Sequence, residues 1–330
     1  MTPKKQTGTS VRPMRVFVGP NTNAERGFHS RKFMPKRVAI APGLPTTPEH
    51  DLVFQGGNTI ANLVFTNFYV GGSDAWDAND IQSIDAGLSA AMSDRNLNNV
   101  MVQYYPSGQI TSNFSGSQIL AGPPPAVVSQ GDVESLVRSL FQTGTLSGID
   151  FTSTVLNFML PSGTILNTDP APTSSTIQGL GGYHGSVHVI TGSDSQTVYY
   201  AVGVYSENRA DGTTNGIPVF DESWKNVVAT FYHELNEART DPDVEDAIRA
   251  GNDPNAGNFL GWVSSQGEEC GDFPVFEANP LSEVFQEVHL TDASGTVPIQ
   301  FQYSDANHGP GLPRTAPAPF AGQRAETKAG

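Results

Sequence analysis

Residues 223–242 read SWKNVVATFYHELNEARTDP, and their apolar residues recur at the spacing of an amphipathic helix. At 100° per residue these apolar side chains fall on one side, as core-facing residues do. They are Trp224, Val227, Val228, Phe231, Leu235 and Ala238. Ser223 is a suitable N-cap, and Pro242 ends the helix because it forces Asp241 out of helical geometry. The stretch therefore predicts a core-packing helix from Trp224 to about Ala238.

The other side of this helix carries residues that can hold a metal ion. His233 and Glu237 are four positions apart, so both side chains leave the same face and can share one ion. Glu234 is turned about 100° from His233, beside the ion, where it can take a proton from a water. This is the arrangement of HExxH zinc enzymes, the zincins, with glutamate in place of the second histidine. The alternative is a solvated acidic face on which His233 only pairs with Glu237.

A catalytic zinc usually has three protein ligands and an open position for water. The segment GEECGD at residues 267–272 follows the helix after a long polar stretch, and its Glu269 or Asp272 can supply the third ligand. Residues 241–258 contain enough oxygen ligands for calcium, without the spacing of an EF-hand. The sequence therefore predicts a zinc site on His233, Glu237 and Glu269 or Asp272, with calcium as a further candidate in the 241–258 loop.

These motifs resemble a known family. HELNEARTDP at 233–242, GW at 261–262 and GEECGD at 267–272 are similar to the conserved pattern of the EXORDIUM-like, phosphate-induced proteins, and GYHG at 182–185 resembles a further motif of that family. The resemblance implies a shared fold and a site to which five residues belong. They are His184, His233, Glu237, Glu269 and Asp272. Because the family is associated with plant cell walls, it also implies a place outside the cell or at its surface.

Several features depart from the family pattern. Residues 243–258 are an insertion, Cys270 replaces an aliphatic residue, and Pro274 stands where plant members carry a cysteine. Residues 1–40 lack the apolar stretch of a secretion signal, which leaves the export route open. His184 lies in a glycine-flanked segment, and the sequence leaves three roles open for it. It is a catalytic group that polarises the substrate, or a metal ligand, or a structural histidine.

Short apolar runs alternate with helical patterns along the chain, which predicts an α/β (α+β) domain with a mixed sheet, flanking helices and long loops. Predicted strands are 62–70, 100–105, 155–160, 186–190 and 198–204, with a hairpin from 284–290 and 297–303. Further helices are predicted from Asp77 or Asn79 and from Ser129 or Asp132. We expect this zincin-like domain at 51–303, between a basic flexible segment at 1–50 and a disordered Pro/Ala/Gly-rich tail at 304–330.

Net charge argues against some partners. The chain carries −15, but residues 1–40 hold nine Lys or Arg and one acid, so the remainder is far more acidic. Such a body repels phosphate backbones, and we expect no nucleic-acid partner. No stretch approaches the about 20 apolar residues of a membrane span. The single cysteine, Cys270, allows no intrachain disulfide.

Three functions fit these observations. The first is a zinc-dependent hydrolase that acts on peptide bonds, in which Glu234 activates a water and His184 is a second catalytic candidate. The second is a non-catalytic extracellular or cell-surface protein of the EXORDIUM type, with a structural metal or a hydrogen-bond network at the same residues. The third is a carbohydrate- or wall-binding module whose platform would consist of Trp76, Trp262, Tyr104 and Tyr105. The sequence leaves the substrate and the oligomeric state open.

Overall fold

The computed structural model describes residues 44–168, 175–191, 194–251 and 253–312. The flexibility predicted for residues 1–43 and 313–330 concerns segments outside the described residues and stays a prediction. The folded part extends past both predicted domain limits, because Leu44, Thr47 and Ser304 are all buried. Tyr303 donates a hydrogen bond to the Thr47 carbonyl and so joins the two ends of the described chain.

Five strands form the central sheet of the domain. They are β1 (Asn62–Tyr69), β2 (Thr111–Ile119), β3 (Thr154–Leu160), β4 (Gly182–Thr191) and β5 (Asp194–Val204). Their spatial order is β2–β1–β3–β5–β4, with four parallel strands and β4 antiparallel to β5 at one edge. All seven residues of β3 are buried. Both faces of this central strand are therefore covered, as its continuous apolar sequence predicts.

The remaining strands are short or lie outside the sheet. An antiparallel hairpin pairs β6 (Phe285–His289) with β7 (Thr296–Gln300), as predicted. Four further pairs of two-residue strands connect loops. They are Val53–Phe54 with Trp262–Val263, Val127–Val128 with Ile165–Leu166, Glu207–Asn208 with Thr214–Asn215, and Tyr303–Ser304 with Gly309–Pro310.

Within the described residues, five α-helices accompany the strands. They are α1 (Ala78–Ser93), α2 (Gln130–Gln142), α3 (Ser223–Thr240), α4 (Val244–Ala250) and α5 (Asp272–Glu277). The Asp77 carboxylate caps α1 by accepting from the Asn79 amide at 2.7 Å, and Ser129 caps α2 in a capping box with Asp132. Among the described residues, no helix combines the length and the apolar character that crossing a bilayer requires.

Helices cover both faces of the sheet. On one face α1 and α3 bury side chains such as Leu88 and Phe231 in one core cluster, with α3 packed against β4 and β5. On the other face α2 packs against β4 and buries Val133 and Val137. The hairpin β6–β7 covers a further side of α3, through residues such as Ile299. The predicted fold class, an α/β domain with a mixed sheet flanked by helices, is confirmed, and α3 is enclosed between sheet and hairpin.

Three local predictions are wrong. Residues 100–105 belong to a buried 3-10 helix, Leu97–Tyr104, because a short apolar run does not by itself distinguish strand from helix. Ser223 is the first residue of α3 and does not cap it; Glu222 holds the N-cap position without a capping hydrogen bond. The insertion at 243–258 is not simply a loop, since it contains α4 with Val244 and Ala247 buried.

The aromatic residues proposed as a binding platform are part of the protein interior. They are Trp76, Tyr104, Tyr105 and Trp262, each less than 9% exposed. Tyr105 also donates a hydrogen bond to the Arg239 carbonyl at 2.8 Å. These four side chains therefore form no exposed platform. The wall-binding prediction, which relied on them, is not supported.

Candidate metal centre

The polar side of α3 faces a cleft between the helix, strand β4 and the segment 267–272, with an empty volume of about 590 Å³ out to its opening. Because the apolar side of α3 is fixed in the core, the helical period turns His233, Glu234 and Glu237 toward this cleft. Glu234 and Glu237 are only 4% and 3% exposed. The interpretation of this side as a solvated acidic face is therefore wrong.

A hydrogen bond to the amide oxygen of Gln300 fixes the ring of His233. The amide nitrogen of Gln300 donates to the carbonyls of Gly271 at 2.7 Å and Phe301 at 3.0 Å. Its amide oxygen is therefore the atom that meets His233 Nδ1, and this oxygen can only accept. The proton of the neutral ring then lies on Nδ1, and the lone pair of Nε2 points to Glu237 Oε2 at 3.1 Å.

His184 has the same arrangement in the opposite wall of the cleft. It comes from β4, and its Nε2 lies 3.1 Å from the carbonyl oxygen of Asp241, which can only accept. In the neutral ring Nδ1 therefore carries the lone pair. This atom faces Glu234 Oε2 at 3.6 Å and Glu237 Oε2 at 3.7 Å. Both histidines thus turn a ligand nitrogen toward the same oxygen of Glu237.

The segment 267–272 closes the cleft with two further carboxylates. The Gly271 amide donates to Glu237 Oε1 at 3.0 Å, and the Glu269 amide donates to Asp272 Oδ2 at 2.8 Å. Glu269 Oε1 lies 3.4 Å from His184 Nε2 and has no hydrogen-bond partner in the described part of the chain. A Cβ at Gly271 would lie 2.5 Å from His233 Nδ1, so glycine is required for this approach.

The cluster is rich in negative charge, and the protons it binds reflect that charge. Burial opposes protonation of His233, but the negative charges of Glu237 and Glu234 outweigh it and raise its pKa to about 10. Burial and the charge of Glu237 hold the pKa of both Glu269 and Asp272 well above the ordinary value. A cation that enters this cleft would replace protons, so its affinity should increase with pH.

The six residues predicted from the sequence all line this cleft. Within it the ligand atoms form two groups of three, each with its atoms within 4.8 Å of one another. The first triad is His233, Glu237 and Asp272, and the second triad is His184, Glu234 and Glu237. Three of the four predicted metal ligands therefore come together in the first triad. The fourth, Glu269, lines the cleft beside His184 and belongs to neither triad.

The sequence did not reveal the groups that orient the histidines. Gln300 ends β7, 67 positions from His233, and no spacing rule connects a glutamine on a strand with a histidine on a helix. The Asp241 carbonyl is a backbone group, which the sequence does not mark. For the approach of the 267–272 segment to His233, the sequence offered one signal, the glycine at position 271. A glycine beside candidate ligands permits a close approach of the backbone.

Two other candidates have partners outside the triads. Cys270 is buried, its pKa is well above the ordinary value because of that burial, and its thiol donates to Gln302 Oε1 at 3.3 Å. It is therefore an unreactive residue of the core. In the insertion, Asp246 pairs with His188 and Arg249, each at 2.9 Å. Within 241–251 and 253–258 no group of three ligating side chains forms, so the calcium prediction gains no support.

Comparisons with known proteins add little to this geometry. No protein-family model matches the chain, and no curated protein sequence matches it either. Among solved structures, the crystal structure of metalloproteinase-II from Bacteroides fragilis aligns with 64% of this chain at 12% identity and a TM-score of 0.28. The aligned region spans 50% of that protein. A likeness this weak carries no argument about function, and the resemblance to EXORDIUM-like proteins stays a prediction.

Proposed function

We propose that this chain is a zinc-dependent hydrolase that acts on peptide bonds. The orientation of the two imidazole rings carries the proposal: each ring is hydrogen-bonded at one nitrogen and turns the other toward Glu237 Oε2. Lone pairs that face a carboxylate oxygen repel it unless a proton or a cation lies between them. Imidazole nitrogen and carboxylate oxygen are both ligands that zinc takes at about 2.0–2.2 Å.

The first triad is the zinc site that we assign. His233 Nε2, one oxygen of Glu237 and one oxygen of Asp272 supply the three protein ligands that a catalytic zinc needs. Gln300 holds His233 in the tautomer whose Nε2 is free. The Gly271 amide binds the other oxygen of Glu237 and so fixes the carboxylate. Zinc, when bound, polarises a substrate carbonyl and makes a water more acidic.

Glu234 is the general base in this proposal. Its Oε1 lies 4.0 Å from His233 Nε2, beside the zinc site and outside the first triad. From there the carboxylate takes a proton from the attacking water and gives it to the leaving amine. Proton transfer by a positioned side chain contributes about 10²–10⁴-fold to the rate. His184, in its protonated form, stabilises the negative charge that develops on the substrate oxygen.

A second candidate function is a non-catalytic protein with a structural metal. The enclosure of the cleft favours it, because Glu234, Glu237, Glu269 and Asp272 are each at most 5% exposed. A shell closed by four protein ligands is typical of structural zinc, whereas a catalytic zinc keeps one position open. In either case we place the protein outside the cell or at its surface, on the resemblance of residues 233–272 to EXORDIUM-like proteins.

A peptide-substrate screen on zinc-loaded protein tests the hydrolase proposal. We expect Glu234→Gln to lower the rate of peptide cleavage by about 10²–10⁴-fold. The zinc bound by the first triad, measured by mass spectrometry, should be retained in this variant. Glu268→Gln is the matched control, since this acid pairs with His50 at 2.9 Å outside the cleft. Wild-type protein that holds zinc but cleaves no peptide would reject the hydrolase and favour the structural metal.

A further inference from the structure

We propose that the cleft has a second position for a divalent transition-metal ion such as zinc, formed by the second triad of His184, Glu234 and Glu237. The inference rests on the proposed function, because it concerns the same cleft: the zinc of the first triad leaves His184 and Glu234 free and shares Glu237 with the second triad. Glu237 belongs to both triads and would bridge the two ions. Its carboxylate lies between the two walls of the cleft that carry the histidines.

Distances within the second triad fit a common ion better than direct hydrogen bonds. His184 Nδ1 lies 3.6 Å from Glu234 Oε2 and 3.7 Å from Glu237 Oε2. Both separations exceed the range of a normal hydrogen bond, which ends near 3.2 Å. Two ligand atoms at about 2.0–2.2 Å from one tetrahedral ion are separated by roughly 3.3–3.6 Å. The second triad is therefore spaced as a ligand set.

His184 is also prepared to bind metal. Its ring is 3% exposed, and its Nε2 is occupied by the Asp241 carbonyl at 3.1 Å. Metal-binding histidines commonly donate their other N–H to a backbone carbonyl, which fixes the tautomer and the ring. The Nδ1 of His184 faces the cleft, at 3.6 Å from Glu234 Oε2 and 3.7 Å from Glu237 Oε2. A second observation points to a ligand in this part of the cleft: Glu269 Oε1, a buried oxygen 3.4 Å from His184 Nε2, has no hydrogen-bond partner within the described residues.

The carboxylates of the cleft, when ionised, carry more negative charge than one divalent ion balances. It contains four buried carboxylates, those of Glu234, Glu237, Glu269 and Asp272. Their ion-pair partners within the described residues are His184 and His233 alone. With both histidines neutral as ligands and all four carboxylates ionised, one divalent ion leaves two negative charges. Uncompensated buried charge is unfavourable, so these two charges are neutralised either by bound protons or by a second divalent ion that replaces them.

Occupation of the second position would regulate hydrolysis. Glu234 would then be a ligand and could not accept a proton from water, and His184 could not stabilise the substrate oxygen. We therefore expect hydrolysis to rise as the first position fills with zinc and to fall at higher zinc concentration.

The test is the number of zinc ions per folded chain, measured by native mass spectrometry and by titration calorimetry on full-length protein stripped of metal. We expect two ions in the wild type and one in His184→Ala. In Glu234→Gln we expect the second ion to bind at least tenfold more weakly than in the wild type. His188→Ala is the matched control, because this histidine lies on the same strand, is largely exposed and pairs with Asp246. Circular dichroism establishes that each variant is folded.

The outcomes separate this inference from the proposed function. One ion in the wild type that His184→Ala retains and His233→Ala loses would overturn the second position and leave the zinc of the proposed function intact. One ion that either substitution removes would mean a single site with both histidines, and would also overturn the inference. If no ion binds at any zinc concentration, both the inference and the proposed function fail.

Discussion

Two neighbouring turns of α3 bury charge in opposite ways. Arg239 is fully buried, and its guanidinium donates to the carbonyls of Ala61 at 3.0 Å and Thr111 at 2.8 Å. Two and five residues earlier, Glu237 and Glu234 are nearly as buried, but within the described residues the only backbone amide that reaches them is that of Gly271. Backbone carbonyls therefore meet most of the cation, apart from an Nη1 without a hydrogen-bond partner in the described residues, whereas the two anions meet histidine side chains and a single backbone amide.

This difference distinguishes a structural charge from a functional one. A buried charge whose partners are fixed backbone dipoles joins segments of the chain, and Arg239 joins α3 to the starts of β1 and β2. A buried charge without such partners must be neutralised by protons or by a ligand. The cleft belongs to the second kind, which is why we assign metal to it and not to the Arg239 end.

Substitution of Arg239 should give the largest change in stability. Arg239→Met removes the arginine donor of the Thr111 carbonyl and one of two donors of the Ala61 carbonyl, which also accepts from the Thr111 amide at 3.0 Å. An unpaired buried group costs about 1–3 kcal/mol, so we expect a loss of about 1–3 kcal/mol in the free energy of unfolding by urea denaturation, with unchanged zinc content per folded chain. Arg138→Met is the control, since this arginine is 45% exposed and pairs only with Glu134. Loss of zinc in Arg239→Met would show that the two turns are not independent.

Zinc should stabilise the protein, and more strongly at higher pH. The raised pKa values, about 7 for Asp241 because of burial and about 10 for His233, mean that the metal-free fold binds protons more tightly than the unfolded chain. Their contribution to stability is therefore lost as pH rises, between 3.8 and about 7 for Asp241 and between 6.5 and about 10 for His233. At 100 times its dissociation constant, zinc restores about 2.7 kcal/mol. Thermal melts with and without chelator should diverge as pH rises; equal melts at all pH values would contradict a metal in the cleft.

Gln300 should have a smaller effect, confined to metal affinity. It is a positioning residue, because it orients His233 without reaching the cleft itself. We expect Gln300→Leu to weaken zinc binding about 10–100-fold, as loss of a hydrogen bond to a ligand histidine does. Gln300→Glu keeps the acceptor for Nδ1 and should retain most of the affinity. Gln302→Leu, at a buried amide that bonds Cys270 and not His233, is the control; an equal loss there would indicate a general packing defect.

Much of the fold could be predicted because its signals are local. The capped starts of α1 and α2, the apolar run of β3 and the apolar side of α3 each follow from residues close in sequence. Leu97–Tyr104 could not be predicted, because its apolar run is equally compatible with a buried strand. The helix α4 was missed because its short acidic sequence has no sustained apolar period.

The ligands of the candidate site could be predicted, but not how they are divided. The spacing of His233 and Glu237 places two ligands on one face of a helix, and the glycines around Glu269 and Asp272 mark a close approach. The division into two triads depends on how β4 and α5 pack against α3, which is a tertiary property. The prediction therefore included Glu269 among the ligands without revealing that Asp272 lies closer to His233.

The most direct test of a metal in this cleft is anomalous diffraction at the zinc edge from crystals of zinc-loaded protein. Our account predicts a peak at about 2.0–2.2 Å from His233 Nε2 and from oxygens of Glu237 and Asp272. Crystals that contain zinc elsewhere, with no peak in the cleft and with His233 directly hydrogen-bonded to Glu237, would contradict it.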